Sequence, residues 1–509
     1  MGACAAPGRA LASGRMTILA IDAGTTGVTA LVVSAEATVV ARGYAEFAQH
    51  FPSEGWVEHD PNDIWAATLT AVRAALDSLD PSLERPTTLG ITNQRETVVL
   101  WDRETLGAPR RAIVWQDRRT AGLCAQLRAD GHEPRVAALT GLRLDPYFSA
   151  TKLAWIALNE PHVWAQVRSG RVAIGTVDSY LVARLTRGLH HVTDASNASR
   201  TLLYDIHAGA WSQELCDLFQ VPREALPEVV PSYGVLGRTD PAVFLGLHLS
   251  IAGIAGDQQA ALFGQACFAP GTSKCTYGTG SFVLVNTGDR PVTSSTGLLT
   301  TVAWQHPDGR LTYALEGAVF VTGAAVQWLR DGLQIIDSAA ETEALARSVP
   351  DSGGVVFVPA LTGLGAPDWD PHARGTILGI SRGTTRAHLV RATLEAIAFE
   401  VQDVVELMVR EGEVSVPELA VDGGASANDF LCQLQADALQ VPVARAAVLE
   451  TTGLGAALLA GLATGVWAST DDIAAVVRRD ARFDPRPGDD TAHRRWRVAV
   501  ERSKSWATA

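Results

Sequence analysis

One carboxylate and two carboxamides follow an apolar run near the middle of the chain. Residues 249–255 (Leu-Ser-Ile-Ala-Gly-Ile-Ala) are apolar enough for a buried strand, and Asp257, Gln258 and Gln259 precede an Ala-, Leu- and Phe-rich segment that predicts a helix. A strand end is where an open α/β sheet presents polar groups to a ligand crevice. Taken alone, Asp257 is better explained as a helix N-cap. Polar motifs elsewhere in the chain favour a chemical role instead.

Two further polar runs also follow predicted strands. Residues 93–96 (Asn-Gln-Arg-Glu) lie between predicted strands at 88–92 and 97–101, and residues 113–119 repeat the pattern around Trp115. Arg95 and Glu96 either pair with each other at the surface or offer adjacent donors and acceptors to a polyol. Tyr147 lies in a third polar segment, and its default interpretation is a core aromatic with a satisfied hydroxyl.

Three glycine turns follow other predicted strands. The first strand ends at Asp22, and residues 23–27 (Ala-Gly-Thr-Thr-Gly) lead into a second strand. Backbone N–H groups and Thr hydroxyls in such a turn can cradle phosphate, with Asp22 holding the water shell of a metal. An ordinary glycine hairpin is about equally consistent with this segment alone. Residues 274–285 repeat the pattern, and the turn at residues 423–428 fits the base and ribose end of a nucleotide.

Several helices are predicted around these motifs. Asp60 and Pro61 form a strong helix start, a long helix is expected over residues 386–409, and residues 450–457 begin a small-residue helix that can pack closely. Residues 317–329 are interpreted as a turn into a helix. The polar runs at residues 175–180 and 193–200 are interpreted as structural turns.

Composition limits the possible classes. A chain of 509 residues is expected to form two or more domains, and its net charge of −13 argues against a nucleic-acid partner. The six cysteines are scattered without a C-x-x-C pair, which indicates reduced thiols in a cytoplasmic protein rather than zinc or disulfides. No apolar run reaches membrane-spanning length.

A phosphate-type turn in each half suggests two domains of one design that face each other across a ligand. We expect residues 1–15 to be a disordered extension, residues 16–262 to form an N-terminal domain with the polyol site and the first phosphate turn, and residues 263–509 to form a nucleotide-binding C-terminal domain.

These motifs, in this order from about residue 17 to residue 467, resemble the FGGY family of carbohydrate kinases, and most closely its members that phosphorylate glycerol. The match is densest at residues 93–97, 254–265, 277–280 and 363–367. The resemblance implies an α/β fold of two actin/hexokinase-like (ribonuclease H-like) ATPase domains with a cleft between them. It further implies glycerol as substrate, ATP and Mg²⁺ as cofactors, and a homo-oligomer, either a dimer or a tetramer.

The resemblance also implies roles for individual residues. Asp257 would be the general base, and Trp115 and Phe282 would wall the carbon chain of glycerol. The glycerol hydroxyls would be held by Arg95, Glu96, Tyr147, Asp257 and Gln258. The nucleotide would be contacted by Thr25, Thr26, Thr279, Gly323, Gln327, Gly424 and Asn428. Asp22 would serve the magnesium ion.

The chain departs from the family pattern at two places. Residues 27–29 read Gly-Val-Thr where Ser-Ser-Arg is common in the family, so a hydroxyl and a cation near the phosphates are missing and the preferred phosphoryl donor is open. Residues 240–248 lack the Gly-Gly-Thr-Arg string that binds fructose 1,6-bisphosphate in some relatives. We expect no such regulation.

Two other functions compete with glycerol phosphorylation. The first is a kinase for another small polyol or sugar, such as xylulose or erythritol. The second is a non-catalytic ATP-binding module or actin-like assembly protein, which needs the phosphate turns but has no use for residues 93–96 or for Asp257 and Gln258.

Overall fold

The computed structural model describes residues 16–488 and 490–508. The extension expected over residues 1–15 lies outside the described residues. Among the helices that are described, none is long and apolar enough to cross a membrane.

The strands and helices alternate along both halves of the chain. The strands of the first half are β1 (Thr17–Ala23), β2 (Gly27–Ser34), β3 (Val39–Glu46), β4 (Glu58–His59), β5 (Thr88–Asn93), β6 (Val99–Asp102), β7 (Ala112–Ile113), β8 (Val172–Gly175), β9 (Val192–Asp194), β10 (Tyr204–Asp205), β11 (Ala210–Trp211), β12 (Glu228–Val230), β13 (Tyr233–Arg238) and β14 (Ser250–Gly256). Those of the second half are β15 (Ser273–Tyr277), β16 (Ser281–Gly288), β17 (Leu299–Gln305), β18 (Leu311–Val319), β19 (Val356–Val358), β20 (Thr376–Leu378), β21 (Leu419–Asp422), β22 (Val443–Ala446) and β23 (Arg479–Phe483).

The helices surround the sheets. The α-helices are α1 (Pro61–Asp77), α2 (Ala121–Ala129), α3 (Glu133–Thr140), α4 (Ser149–Asn159), α5 (Pro161–Arg168), α6 (Val177–Leu185), α7 (Ala195–Ala198), α8 (Gln213–Leu218), α9 (Asp257–Gly264), α10 (Gly323–Gln327), α11 (Glu341–Arg347), α12 (Arg386–Gly412), α13 (Asp429–Leu439), α14 (Thr451–Thr464), α15 (Thr470–Val476) and α16 (Thr491–Ser503). The predicted start of α1 is confirmed, because Asp60 Oδ1 accepts a hydrogen bond from the Asn62 N–H at 2.8 Å.

The two main sheets share one topology. The first has the order β3-β2-β1-β5-β14-β13, with successive pairs antiparallel, antiparallel, parallel, parallel and antiparallel. The second repeats that sequence of pairings in β18-β16-β15-β21-β22-β23 and adds β17 beside β18. The prediction of two α/β units of one design is therefore confirmed.

The parallel strands bring the polar motifs to one edge of each sheet. In the first sheet Asp22 is level with Thr92, and Asn93 is level with Gly256. The residues that follow β1, β5 and β14 therefore meet at the carboxyl edge, where open α/β sheets bind ligands. In the second sheet Thr276 is level with Asp422 at the corresponding edge.

Helix α14 belongs to the second half of the chain but packs on the first sheet. Its leucines and alanines join a buried cluster with Ile18, Leu31 and Ala255. A Cβ atom on Gly455 would lie 1.8 Å from the Ala260 carbonyl oxygen of α9. The predicted close packing is confirmed, while the proposed domain boundary between residues 262 and 263 stays a prediction.

Some local elements differ from expectation. The strand expected at residues 97–101 corresponds to β6, which begins at Val99. It pairs with β8 and not with β5. Residue Gly317 is not in a turn, because pairing with Val283 of β16 extends β18 through Val319. The predicted helix starts only at Gly323.

Candidate active site

Asp257 lies at the first position of α9, directly after β14. The N-cap of this helix is Gly256, so Asp257 does not fill the capping role that local sequence favours. Its Oδ1 accepts a hydrogen bond from the Gln258 N–H at 2.7 Å and lies 3.0 Å from Arg95 Nε. In the part of the chain that the structure describes, no hydrogen bond reaches Oδ2. The side chain is 29% exposed, against 1% for Arg95, so a held carboxylate offers a free oxygen to solvent.

Arg95 joins the two halves of the molecule. It follows β5 of the first sheet, and its Nη1 and Nη2 lie 2.5 and 3.1 Å from the two carboxylate oxygens of Glu316 in β18 of the second sheet. Gln259 Oε1 also accepts from Nη1 at 3.2 Å. A bidentate pair of this kind fixes the plane of the guanidinium as well as its position. Because Glu316 and Gln259 hold its guanidinium fixed, Arg95 in turn fixes the orientation of Asp257.

A second arginine extends this network to Glu96. Arg200 Nε donates to Glu96 Oε1 at 2.7 Å, and Nη2 donates to Glu316 Oε1 at 2.9 Å. Glu96 is buried with a φ of 62°, a left-handed conformation that is uncommon for a glutamate and occurs at functional sites. Residues 193–200, interpreted as structural turns, hold the end of β9 and helix α7 and bring Arg200 into this network.

Burial and charge pairing set the proton affinities of the network. Burial raises the pKa of Glu96 and of Asp257, against the opposing effect of Arg95. Burial acts in the same direction on Glu316, but Arg200 and Arg95 hold its pKa down at about 2. Glu316 is therefore the permanently ionised anchor, and Asp257 is a carboxylate with raised proton affinity.

Two aromatic rings lie beside the network. Tyr147 accepts a hydrogen bond from Arg95 Nη2 at 3.3 Å, and its ring meets Trp115 edge to face at 5.6 Å between centroids. Lys152 Nζ donates to the carbonyl oxygens of residues 146–148 at 2.8, 2.6 and 3.1 Å. The lysine thereby fixes the backbone that carries Tyr147. Trp115 and Tyr147 form an aromatic corner beside Arg95, which contacts Asp257.

Gln258 in helix α9 contacts the second sheet, whose strand β16 carries Phe282. Lys274 Nζ donates to Gln258 Oε1, which ties α9 to β15. Register places Phe282 opposite Thr276, two residues beyond Lys274, so both side chains lie on one face of the second sheet. Glu316 lies on this face too, because it pairs with Leu284. Six of the seven predicted substrate residues are linked by these contacts, Phe282 is placed by register alone, and their substrate roles stay predictions.

The first glycine turn lies at the same edge as Asp257. Burial, followed by repulsion from Asp257, raises the pKa of Asp22 to about 7. Thr25 Oγ1 accepts a hydrogen bond from Trp115 Nε1 at 2.9 Å, which links this turn to the aromatic corner. Thr26 is exposed. Asp22, Thr25 and Thr26 are thus adjacent to the predicted substrate residues.

At residues 27–29, where the sequence departs from the family pattern, the side chain of Tyr44 occupies the space beside the turn. A Cβ atom on Gly27 would lie 2.7 Å from the Tyr44 hydroxyl, and Thr29 is the cross-strand partner of Tyr44. The space beside the turn is therefore occupied by a phenol. The effect on phosphoryl-donor preference stays a prediction.

The second turn is buttressed by α10. The carbonyl oxygens of Gly278 and Thr279 each accept a hydrogen bond at 3.0 Å, from the N–H groups of Gly323 and Ala324. A Cβ atom on Gly323 would lie 2.6 Å from the Gly278 oxygen, so glycine permits this close approach. Thr279 and Gln327 are exposed at this edge.

The third turn follows β21. Gly424 is exposed, and Asn428 Oδ1 caps α13 by accepting from the Leu431 N–H at 3.0 Å, while its Nδ2 donates to Thr342 Oγ1 at 3.0 Å. Across the described residues, no hydrogen bond joins these second-half turns to Asp257. The predicted nucleotide roles of Thr279, Gly323, Gln327, Gly424 and Asn428 stay predictions.

The donors near Asp22 fit Mg²⁺. This ion is commonly held by one or two carboxylates, with phosphate oxygens and water completing the octahedron. Asp22 supplies such a carboxylate, and burial, followed by repulsion from the Asp257 carboxylate, raises its pKa to about 7. Among the residues described, no group of three or more His, Cys, Asp or Glu side chains could hold a metal unaided.

Sequence reasoning gave no role in this site to four of its residues. Glu316, Arg200, Lys274 and Gln259 are all buried and carry its ion pairs and hydrogen bonds. The available signal was a charged residue inside an apolar strand, at Glu316 in β18 and Lys274 in β15, because such charges are almost never buried unless paired. Arg200 follows a short polar helix and gives no comparable signal.

Comparison with known proteins identifies both halves of the chain. A family model of the N-terminal domain of the FGGY family of carbohydrate kinases matches residues 17–264, and a model of the C-terminal domain of that family matches residues 273–464. Together these matches cover most of the chain.

Curated and solved relatives agree with the family match. Glycerol kinase from Aromatoleum aromaticum is 54% identical over 495 residues, which cover 97% of this chain and 99% of that protein. Plasmodium falciparum glycerol kinase, solved with ADP, is 34% identical with a TM-score of 0.90, covering 96% of this chain and 98% of that one. Xylulose kinase from Rhodospirillum rubrum is 27% identical with a TM-score of 0.84, and the match covers 96% of this chain and 98% of that one.

Proposed function

The chain belongs to the FGGY family of carbohydrate kinases, and we propose that it transfers the γ-phosphoryl group of ATP to glycerol, giving sn-glycerol 3-phosphate and ADP. The observation that carries the proposal is the state of Asp257. Its Oδ1 is fixed by Arg95 and the Gln258 N–H, and the partly exposed side chain leaves Oδ2 for an alcohol.

Asp257 acts as the general base in this reaction. A phosphoryl group passes through a loose transition state, so orientation of the attacking oxygen matters more than early removal of its proton. Oδ2 accepts the hydrogen bond of a terminal hydroxyl, aims that oxygen at the γ-phosphorus, and takes the proton late. The raised pKa of Asp257 suits this role, because a more basic carboxylate accepts the proton more readily.

The remaining residues of the network select the alcohol. Arg95 donates, Glu96 accepts, and the Tyr147 hydroxyl does both, which matches the mixed character of polyol hydroxyls. Trp115 and Phe282 bound the carbon chain. The compact aromatic corner favours a three-carbon triol over a sugar.

The glycine turns hold the phosphoryl donor. The turns at residues 24–27 and 279–280 carry backbone N–H groups at the carboxyl edges of the two sheets, where oriented amides bind phosphate oxygens. Asp22 would hold Mg²⁺, which when bound supplies positive charge that neutralises the phosphate oxygens. Closure of the two halves excludes water, which would otherwise compete with glycerol as acceptor.

We further propose a cytoplasmic enzyme that works as a homodimer or homotetramer. Five free, buried cysteines among the residues described support a reducing compartment. Light scattering coupled to size-exclusion chromatography measures the oligomeric state directly.

A coupled ADP-release assay tests the proposed activity. The purified protein is given MgATP with glycerol, erythritol or D-xylulose, or with no acceptor. We expect turnover with glycerol, with a kcat/KM at least a hundredfold above that for the other acceptors. Preference for xylulose would establish the alternative sugar kinase, and ATP turnover that ignores every polyol would establish the actin-like ATP-binding protein.

A further inference from the structure

Two carboxamide side chains hold the carbonyl edge of the first glycine turn. Gln94 Nε2 donates to the Gly24 carbonyl oxygen at 2.9 Å, and Gln49 Nε2 donates to the Thr25 carbonyl oxygen at 2.9 Å. The carbonyl oxygens on either side, at residues 23 and 26, accept from backbone N–H groups at 2.9 and 3.3 Å. Four consecutive carbonyl groups are therefore turned toward the body of the protein.

This arrangement decides where the N–H groups of the turn point. In a trans peptide the C=O of one residue and the N–H of the next point in opposite directions. The N–H groups of Thr25 and Thr26 are therefore directed away from Gln94 and Gln49. Within the described residues neither of them donates a hydrogen bond. Aligned, unpaired N–H groups of this kind form an anion-binding concavity.

A buried histidine joins the two carboxamides. His59 Nε2 lies 2.6 Å from Gln49 Oε1, and His59 Nδ1 lies 3.3 Å from Gln94 Nε2. Because an amide nitrogen only donates, Nδ1 must accept, and Nε2 carries the proton that Gln49 Oε1 accepts. Burial and the neighbouring His50 lower the pKa of His59 to about 4, which keeps the ring in this neutral form.

The same network reaches the aromatic corner through Trp115. The Trp115 backbone N–H donates to Thr97 Oγ1 at 3.2 Å, and Thr97 Oγ1 donates to Gln94 Oε1 at 2.8 Å. The Trp115 indole donates to Thr25 Oγ1 at 2.9 Å. The Thr25 hydroxyl thus accepts from the protein, and its own proton remains to donate to a phosphate oxygen.

We propose that Gln94 and Gln49, joined through His59, are positioning residues for the phosphoryl donor. They hold the carbonyl edge of residues 23–26 so that the N–H groups of Thr25 and Thr26 face the phosphate oxygens. Trp115 extends this support to the acceptor side through its hydrogen bonds to Thr97 and Thr25. The inference rests on the proposed function, because it concerns the phosphate end of the same site.

Calorimetric titration with MgADP tests this inference without turnover. Gln49→Met and Gln94→Met remove the carboxamide donors without adding charge, and Gln166→Met, at a partly exposed position of α5, is the matched control. We expect the Kd for MgADP to rise about tenfold in each test variant and to stay unchanged in the control. The KM for ATP should rise in parallel, while the KM for glycerol stays within threefold.

Two results would overturn the inference. One is an MgADP Kd within twofold of the parent value in the folded test variants, and the other is an equal loss of glycerol and nucleotide affinity, which indicates general disruption. If Gln94→Met does not fold, the MgADP Kd of Gln49→Met, which alters a partly exposed position, decides between the two outcomes. Absence of glycerol-dependent turnover in the parent protein would contradict the proposed function, yet the nucleotide affinities would still decide this point.

Discussion

At the scale of single residues, charge placement explains the site. Glu316 and Arg95 form a buried bidentate pair, and Asp257 is the member of the network that reaches solvent. Buried charges persist only when paired with good geometry, because the cost of leaving water is large. The ion pair with Glu316 therefore holds Arg95 in place, and Arg95 in turn fixes the orientation of the Asp257 carboxylate.

Asp257→Asn tests the base directly. The amide is nearly isosteric but cannot accept the proton, so we expect kcat to fall at least a thousandfold, about 4 kcal/mol of barrier. MgADP affinity should change little, as measured by calorimetry, and exposed Asp77→Asn is the control. A kcat within tenfold of the parent would remove Asp257 from this role.

Glu316→Gln tests the anchor of the network. The amide leaves Arg95 and Arg200 as two buried cations with less compensation, and removing one partner of a buried pair costs about 3–5 kcal/mol. We expect the free energy of unfolding to fall by about 3 kcal/mol and kcat to fall at least tenfold, because Arg95 no longer aims Asp257. Chemical denaturation and steady-state kinetics measure both, with exposed Glu224→Gln as the control. Parent-like kcat in the folded variant would show that Asp257 does not depend on this anchor.

Asp22 predicts how stability depends on pH when nucleotide and metal are absent. Its pKa is about 7 in the folded protein and 3.8 ordinarily, so the folded state binds more protons between these values. The free energy of unfolding should therefore decrease as pH rises from about 4 to about 7, and then level off.

Asp22→Asn removes this contribution. Urea denaturation at pH 5 and pH 8 should show the variant to be more stable than the parent at pH 8, by about 1–2 kcal/mol, with a smaller difference at pH 5. If the free energy of unfolding changed by the same amount between pH 5 and pH 8 in the parent and in the variant, the raised pKa of Asp22 would be contradicted.

At the scale of elements, strand ends and tight helix packing create the site. β1, β5 and β14 end together, so motifs far apart in sequence meet at one sheet edge. Helix α14 lies against α9 and the first sheet because its face is built from glycine and alanine. This packing fixes the start of α9, where Asp257 lies.

Gly455→Ala tests that packing. Its Cβ atom would lie 1.8 Å from the Ala260 carbonyl oxygen, and overpacking of this kind costs about 1–3 kcal/mol or more. Gly122→Ala in α2 meets nothing within 4 Å and should be neutral or stabilising by up to about 1 kcal/mol. Thermal unfolding compares the two. Equal stability of both variants would show that the helices have room to separate.

The sequence predicted the strands, turns and helices better than it predicted which side chains contact each other. Strand–turn patterns around Asp22, Arg95 and Asp257 predicted the sheet edge, because alternating apolar runs and glycine turns are local signals. Glu316 could not be assigned to Arg95 from sequence, since their contact spans 221 positions and depends on how the two sheets face each other. The same holds for the two carboxamides that hold the first glycine turn.

At the scale of the whole molecule, two similar units share one reaction. The first carries Asp257, Arg95 and the first glycine turn, and the second carries Glu316 and the second and third glycine turns. The buried contact between Arg95 and Glu316 lies where the two units meet, and the exposed turns lie at the sheet edges. Closure about this contact would bring the nucleotide to the alcohol.

A crystal structure of the protein with glycerol and a non-hydrolysable MgATP analogue tests the central claim most directly. We predict closed domains, a glycerol hydroxyl within about 3 Å of Asp257 Oδ2, and the γ-phosphorus in line beyond that oxygen. Closed domains with both ligands bound, but with the Asp257 carboxylate beyond hydrogen-bonding reach of every glycerol oxygen, would contradict the account.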